Sequence, residues 1–275
     1  MQHAPPITYH INKHSHICQY ICKIIHMIIQ PVILAAGKGS RMDSEIPKVL
    51  LQIDKKPIIQ HLLDSLSSCD TTTKPIIVVG DNKKHITQAL SSDITYATQQ
   101  TPLGTGHALQ CALPNITAPY VLVCYGDHPF FTTHSLNKFC NAAKQNQTIA
   151  IGTVTVPHFK QWYNTFKHWG RIIRHDKAIT NIIEYKDANP TIKNITEVNA
   201  SPYLFNTKWL RNNIHELTNH NAQSEFYITD LIGIAVNQEK TIQTIPIPPH
   251  QAIGINTKQQ LKFAQNRSKN TQIHA

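Results

Sequence analysis

No stretch of the chain approaches the roughly 18 consecutive apolar residues that a membrane-crossing helix requires, so the helical membrane class drops out. No dense Arg/Lys run with interleaved aromatics occurs and no nucleic-acid module is recognisable, so the net charge of +10 is not in itself a case for nucleic acid. It suits an anionic ligand equally well. There is no internal repeat and no long low-complexity linker. Cys69, Cys111, Cys124 and Cys140 lack metal-ligand spacing and sit singly in segments that read as helix or strand, which fits reduced thiols in a cytoplasmic protein. What is present is a chain of 275 residues with 41% hydrophobic content, ample for one large α/β domain.

Acidic residues are missing altogether before Asp43, and the first 26 residues differ in kind from the rest. His10, His14, Cys18, Cys22 and His26 recur every fourth position, so a helix would line them along one face, where imidazole and thiolate could take zinc or another soft metal. The same stretch also reads as a compositionally unselected extension or a misassigned start, since a chain opening at Met27 enters the first apolar run almost at once. It has no continuous apolar h-region, which argues against a secretory signal. The expected division is an extension over 1–26 and one folded domain over 27–275.

From Val32 to about Gln147 apolar runs alternate with amphipathic stretches, the pattern of parallel βαβ units. Strands are predicted at Val32–Ala35, Ile76–Val79, Thr95–Ala97 and Val121–Cys124. Pro57 is placed to open a helix whose apolar stripe is Ile58, Ile59, Leu62, Leu63 and Leu66, and Leu136, Phe139 and Ala143 mark another. After Ile149 the pattern becomes strand after strand: Ile149–Val156, Arg171–Arg174, Ile179–Tyr185 and Val198–Phe205, with His175-Asp176-Lys177 as a hairpin turn. Helices are predicted at Lys208–Leu217 and Ser224–Asn237, then a strand at Thr241–Ile247 and a short helix after Thr257. The expected fold is α/β, a Rossmann-like, mixed, mostly parallel sheet flanked by helices. In such a sheet ligands gather at the carboxyl ends of the parallel strands.

Three segments fall on that rim. Leu34-Ala35-Ala36-Gly37-Lys38-Gly39-Ser40-Arg41-Met42, with Pro47-Lys48, sets a glycine-bearing loop and three cations directly after a strand, as a triphosphate site requires. It is neither a Walker A loop nor a dinucleotide fingerprint, because the third glycine position of the latter is Met42. An ordinary Gly-rich βα turn is the plain alternative. Gln99-Gln100-Thr101-Pro102-Leu103-Gly104-Thr105-Gly106-His107-Ala108 is a second glycine-bearing turn opening a helix. Its glutamine amide can donate and accept at once, which suits the imide edge of uracil, although a capped helix start would look the same. Asp127 follows the run Val121–Cys124 and is either a Mg²⁺ ligand beside the phosphates or the N-cap of the next helix, a role open also to Thr132 and Thr133.

The first of these loops resembles the signature of nucleotide-sugar pyrophosphorylases. Gln99 with Leu103-Gly104-Thr105-Gly106-His107-Ala108 narrows the resemblance to the uridylyltransferase half of the bifunctional N-acetylglucosamine-1-phosphate uridylyltransferase/glucosamine-1-phosphate acetyltransferase family. Tyr125-Gly126-Asp127, Gly170-Arg171-Ile172, Glu184–Ala188, Glu197-Val198-Asn199, Asn221-Ala222-Gln223 and Tyr227–Asp230 are similar to later signatures in the same order, so the resemblance runs from about Val32 to Asn256.

That resemblance implies the nucleotide-diphospho-sugar transferase fold and Mg²⁺-dependent uridylyl transfer from UTP to an amino-sugar 1-phosphate, N-acetylglucosamine 1-phosphate in the family. It implies that Leu34, Ala35, Ala36, Gly37, Gln99, Gly104 and Thr105 hold the nucleotide, and that Arg41 and Lys48 neutralise phosphate. Tyr125, Gly126, Gly170, Glu184, Asn199, Tyr227 and Thr229 would form the sugar side, and Asp127 and Asn256 would bind Mg²⁺. A sugar 1-phosphate is already anionic near neutral pH, so catalysis needs positioning and charge stabilisation and no general base. Accordingly His107 and His128, both near the site, read as hydrogen-bonded scaffold.

Three departures stand against the family pattern. The chain stops about twenty residues after Asn256, where bifunctional members continue into hexapeptide repeats, so no acetyl transfer, no acetyl-CoA site and no repeat-borne trimer are expected. Ala200-Ser201-Pro202 stands where Thr/Ser-Gly usually follows the asparagine, and Trp169 replaces a tyrosine before Gly170. Both border the sugar. Rival expectations are transfer to glucose or galactosamine 1-phosphate, a non-catalytic nucleotide-sugar-binding relative, and metal or nucleic-acid binding by the N-terminal stretch.

Overall fold

The apolar runs become the strands of one mixed sheet in the computed structural model, which describes residues 28–272 apart from Lys38, Asp43, Asp70, Thr71 and Ser92. The His/Cys stretch and Met27 lie outside the described residues. In chain order the first half comprises β1 (Ile29–Leu34), the two-residue strands β2 (Gln52–Ile53) and β3 (Lys56–Pro57), α1 (Ile58–Ser67), β4 (Ile76–Val79), α2 (Lys83–Ala89), β5 (Thr95–Thr98), α3 (Thr105–Ala112), β6 (Tyr120–Tyr125) and α4 (Thr133–Lys144). The second half comprises β7 (Ile149–Thr155), β8 (Arg171–His175), β9 (Ala178–Ile183), α5 (Pro190–Lys193), β10 (Glu197–Asn206), α6 (Thr207–Asn213), α7 (Asp230–Asn237), β11 (Ile242–Pro246) and α8 (Lys258–Gln272).

The sheet order is β11-β7-β10-β6-β1-β4-β5, with the β8–β9 hairpin attached to β10 through Val198 and Arg171. Only β10 runs against its neighbours β6 and β7; the other ladders of the main path are parallel. Residues along each strand alternate between two helix-covered faces. Ile33, Leu122 and Cys124 face the layer built with α1 and α4, through Leu62, Leu66, Leu136 and Phe139. Val32, Val121 and Val123 face the layer built with α3, α6 and α7, through Leu109, Leu210, Leu231 and Ile232. Each such fully buried side chain contributes about 1.5–3 kcal/mol. The registers Leu34–Val78, Leu34–Tyr125 and Val79–Thr98 bring the carboxyl ends of β1, β4, β5 and β6 onto one rim, as expected.

Several boundaries differ from expectation. Strand β1 starts three residues early and ends at Leu34, because Ile29 and Gln30 pair with Tyr120 and Val121. No helix covers 224–229: Phe226 donates its N–H to Leu103 O and accepts from Gly106 N, so its backbone is committed to the loop before α3 and α7 begins only at Asp230. Strand β9 ends at Ile183, two residues before Tyr185. The helix at Lys208–Leu217 is split into α6 and a 3₁₀ turn at Ile214–Glu216. The last helix is 15 residues long rather than short. The hairpin turn falls as expected, with Asp176 at φ +53° between β8 and β9.

The departure after Asn199 forms a bulge. Asn199 pairs with Thr153 and Tyr203 with Ile151, so Ala200, Ser201 and Pro202 stand against Gly152 alone. Gly152 is required there, since a Cβ would lie 2.8 Å from Ser201 O. Ser201 has φ +49°, and its buried hydroxyl has no hydrogen-bond partner among the described residues. Glycine relieves both costs but loses more chain entropy on folding, about 0.5–1 kcal/mol. Left-handed backbone costs about 1 kcal/mol and an unpaired buried hydroxyl about 1–3 kcal/mol. Ser201→Gly is therefore expected to stabilise the fold by about 1–2 kcal/mol, seen as a higher urea midpoint at unchanged slope; a lower midpoint would contradict this account.

Candidate active site

The rim holds a cavity of about 430 Å³ with two unlike ends. At one end, Leu34, Ala35, Ala36 and Gly37 continue from β1 as its floor, held by Ala35 N–H to Val78 O (2.8 Å) and by Asn82 Nδ2–H to Ala35 O (2.9 Å). Of the two loop glycines only Gly39 has positive φ, at +61°, and a Cβ there would meet Lys48 Cβ at 3.1 Å. Gly37 faces open space. Opposite lie Gln99, Gly104 and Thr105, brought in by β5 and the start of α3. Thr105 Oγ1 accepts from Ile228 N–H at 3.1 Å, which ties α3 to the segment preceding α7.

Between the ends, Lys48 Nζ donates to Asp127 Oδ2 at 2.6 Å and to Asn256 Oδ1 at 2.8 Å. Asp127 stands just past β6, and Thr132 caps α4 by accepting from Ser135 N–H, so Asp127 is not that helix's cap. Burial pushes the Asp127 carboxyl up, and the Lys48 ammonium with His128 and hydrogen bonds pulls it below its ordinary range, so it is a carboxylate at neutral pH. Arg41 is exposed at the rim rather than lining the cavity, and reaches Asn256 Oδ1 at 3.4 Å. Lys38, the third cation of the loop, lies outside the described residues.

The other end is formed by Tyr125, Gly170, Glu184, Asn199 and Tyr227. Thr229 does not line it but holds Glu184, donating from Oγ1 to Oε1 at 3.0 Å. Gly126 also sits behind the wall, where a Cβ would meet Val49 Cγ1 at 3.3 Å. Burial raises the Glu184 carboxyl; the Thr229 bond opposes this, while Asp230, Asp187 and Glu225 add to it. Asp230 itself is pushed up to about 6 by burial and by Asp187.

Further side chains belong to this end. His128 lies nearly parallel to the rings of Phe131 (5.7 Å, 20°) and Trp169 (5.5 Å, 25°), and burial lowers its basicity. Tyr203, fully buried in β10, accepts from Asn199 Nδ2–H at 2.6 Å and stands 3.3 Å from the Tyr125 hydroxyl. The strand pattern hid Tyr203 as one more core residue. Gln223 and Glu225, in the turn and loop before α7, also line the cavity.

Arg171 is buried to 0% exposure among backbone carbonyls: it donates to Lys167 O (2.7 Å), to Lys193 O (3.1 and 3.3 Å) and to Trp169 O, and lies over the rings of Phe159 and Tyr185. It thereby fastens the turn that carries Trp169 and Gly170 to the cavity. Arg171→Met keeps the stem and removes every donor, stranding those carbonyls. The expected cost is about 3 kcal/mol in denaturant unfolding; a variant as stable as the wild-type protein would contradict this fastening role for Arg171.

Comparison with known proteins places the chain in a family. Residues 31–226 match the model of the MobA-like NTP transferase domain. The chain is 35% identical over 239 residues to the bifunctional protein GlmU of Idiomarina loihiensis and 37% identical over 238 residues to that of Heliobacterium modesticaldum, covering 86% and 85% of itself. In both cases it spans 50% of the relative's length. The fold is similar to that of a UDP-glucose pyrophosphorylase solved with UDP-glucose, at TM-score 0.71 and 16% identity over 89% of this chain and 99% of that one. By that match over most of its length, the chain belongs to the MobA-like NTP transferase family.

Proposed function

We propose that the protein transfers uridylyl from UTP to N-acetylglucosamine 1-phosphate, releasing pyrophosphate and forming UDP-N-acetylglucosamine. The observation that carries the reading is the cluster of Lys48, Asp127 and Asn256 at the junction of the two cavity ends, where two phosphorylated substrates would meet. A phosphate oxygen of the sugar phosphate attacks the α-phosphorus of UTP. The bond from that phosphorus to the α,β-bridging oxygen breaks, and pyrophosphate leaves with its electron pair. No proton has to be removed from the nucleophile. Lys48 and Arg41 lower the repulsion between the two anions and stabilise charge on the leaving group, a preorganised electrostatic contribution of several kcal/mol.

Two oxygens that converge on one ammonium within 2.8 Å form a cation site, and no group of three His, Cys, Asp or Glu that could hold a metal occurs among the described residues. That donor set fits Mg²⁺, which takes one or two protein oxygens and completes its shell with phosphate and water. Asp127 and Asn256 would hold it, and when bound it supplies positive charge to the phosphates. At the other end Glu184, fixed by Thr229, accepts from sugar hydroxyls.

A second reading keeps the chemistry and changes the sugar. Trp169, the Ala200–Pro202 bulge and the Tyr203 hydroxyl all border Asn199 or Gly170. The experiment is pyrophosphate release from UTP and Mg²⁺ with a panel of sugar 1-phosphates. Preference for a non-acetylated sugar would favour the second reading, and no turnover with any sugar would overturn both.

A further inference from the structure

Gln99, Gly104 and His107 form a closed hydrogen-bond set at the nucleotide end of the cavity. Gln99 is 5% exposed and its Nε2 stands 3.0 Å from Gly104 O and 3.0 Å from His107 Nδ1. A backbone carbonyl only accepts, so the atom facing Gly104 must be the amide nitrogen. The orientation of the carboxamide is fixed by chemistry and not by the similar appearance of its nitrogen and oxygen.

The amide's second N–H then goes to His107 Nδ1, which must carry a lone pair. In a neutral imidazole the proton therefore sits on Nε2, on the side of Cys111 Sγ at 3.9 Å. Both N–H groups of Gln99 are spent. Its Oε1 receives no hydrogen bond among the described residues, so a bare acceptor is what Gln99 offers to the cavity it lines.

We propose that His107 is a positioning residue that sets nucleobase selectivity through Gln99. By accepting from Nε2 it holds the carboxamide plane with its oxygen toward the ligand, so the site takes a base that presents a ring N–H, as a uracil-type imide does. Cytosine presents a ring acceptor at that edge and is turned away. Gly104 alone cannot enforce this. The terminal torsion of glutamine is broad, and a carboxamide anchored by one bond can swing its freed N–H toward the ligand. The proposal rests on the nucleotide reading of the cavity.

The test is calorimetric binding of UTP and CTP, without sugar phosphate, to the wild-type protein, His107→Leu and His107→Asn. The wild-type protein is expected to prefer UTP. His107→Leu should narrow the UTP/CTP ratio by about tenfold or more, because sites that hydrogen-bond a particular edge discriminate by polarity. His107→Asn, whose amide oxygen can stand near the place of Nδ1, should restore most of the ratio. Nitrogen NMR of the wild-type protein should find His107 protonated at Nε2, a readout that does not depend on how either variant folds. An unchanged ratio in His107→Leu, equal loss of both nucleotides, or a proton on Nδ1 would overturn the proposal. Wild-type protein that bound neither nucleotide would overturn the nucleotide reading itself, and this proposal with it.

Discussion

Asp127→Asn is expected to lower kcat for pyrophosphate release by about a thousandfold while leaving the fold intact. The substitution is isosteric and keeps an oxygen 2.6 Å from Lys48 Nζ, so that hydrogen bond survives as a neutral acceptor. What is lost is the charge that would hold a divalent cation beside the phosphates. Removing one preorganised electrostatic element from a shielded site costs about 10²–10³ in rate, and a metal ligand belongs at the upper end. Nucleotide binding gives the opposite sign: in metal-free buffer the variant presents one fewer anion to a triphosphate, so UTP affinity should hold or improve. Circular dichroism and calorimetry separate these from a folding defect. Activity within tenfold of wild type would remove Asp127 from the catalytic centre.

The centre of this site was legible because each part follows a strand end. Gln99 directly follows β5, and Asp127 and Gly37 come two and three residues past the ends of β6 and β1; parallel registers carry such positions to one rim. Asn256 arrives by another route: Ile255 N–H donates to Asp127 O at 2.9 Å, a pairing from outside the sheet that no periodicity announces. Its placement came from resemblance alone.

Physical reasons also account for what was misread. In α2 the run Lys83-Lys84-His85 is exposed and only Ile86 is buried, so the sequence of this helix carries no apolar stripe. The helix predicted from Ser224 begins only at Asp230, because the Phe-Tyr-Ile-Thr run before it favours extended backbone and long-range bonds tie Phe226 to Leu103 and Gly106. Thr229 was expected in the pocket wall and instead acts through Glu184. Tyr203 alternates correctly for a core strand, and nothing in that pattern shows that its hydroxyl meets Asn199 and Tyr125. Period and composition report which face a residue takes, not which polar atom it meets there.

Gly104→Ala tests whether the second glycine turn is built for the nucleotide or merely starts a helix. Gly104 has φ +108° and ψ 176°, a region essentially restricted to glycine, and a Cβ would fall 2.6 Å from Phe226 O, 2.8 Å from Phe226 N and 2.9 Å from Glu225 Cβ. The obstacles are mostly backbone, so the loop itself must move. Moving it strains the Phe226 N–H to Leu103 O bond (2.8 Å) and the Gly106 N–H to Phe226 O bond (2.7 Å), and shifts the carbonyl that orients Gln99. Backbone strain with displaced hydrogen bonds places the cost at about 3–5 kcal/mol in unfolding free energy. UTP affinity should fall at least tenfold in whatever protein remains folded. Gly37→Ala is the matched control. Its Cβ meets nothing within 4 Å and its φ is not positive, so stability should stay within about 0.5 kcal/mol while any loss appears only when triphosphate is added. If Gly104→Ala were as stable as Gly37→Ala, the packing of 225–226 against the Gln99 loop would be wrong, and with it the geometry that presents Gln99 to a base.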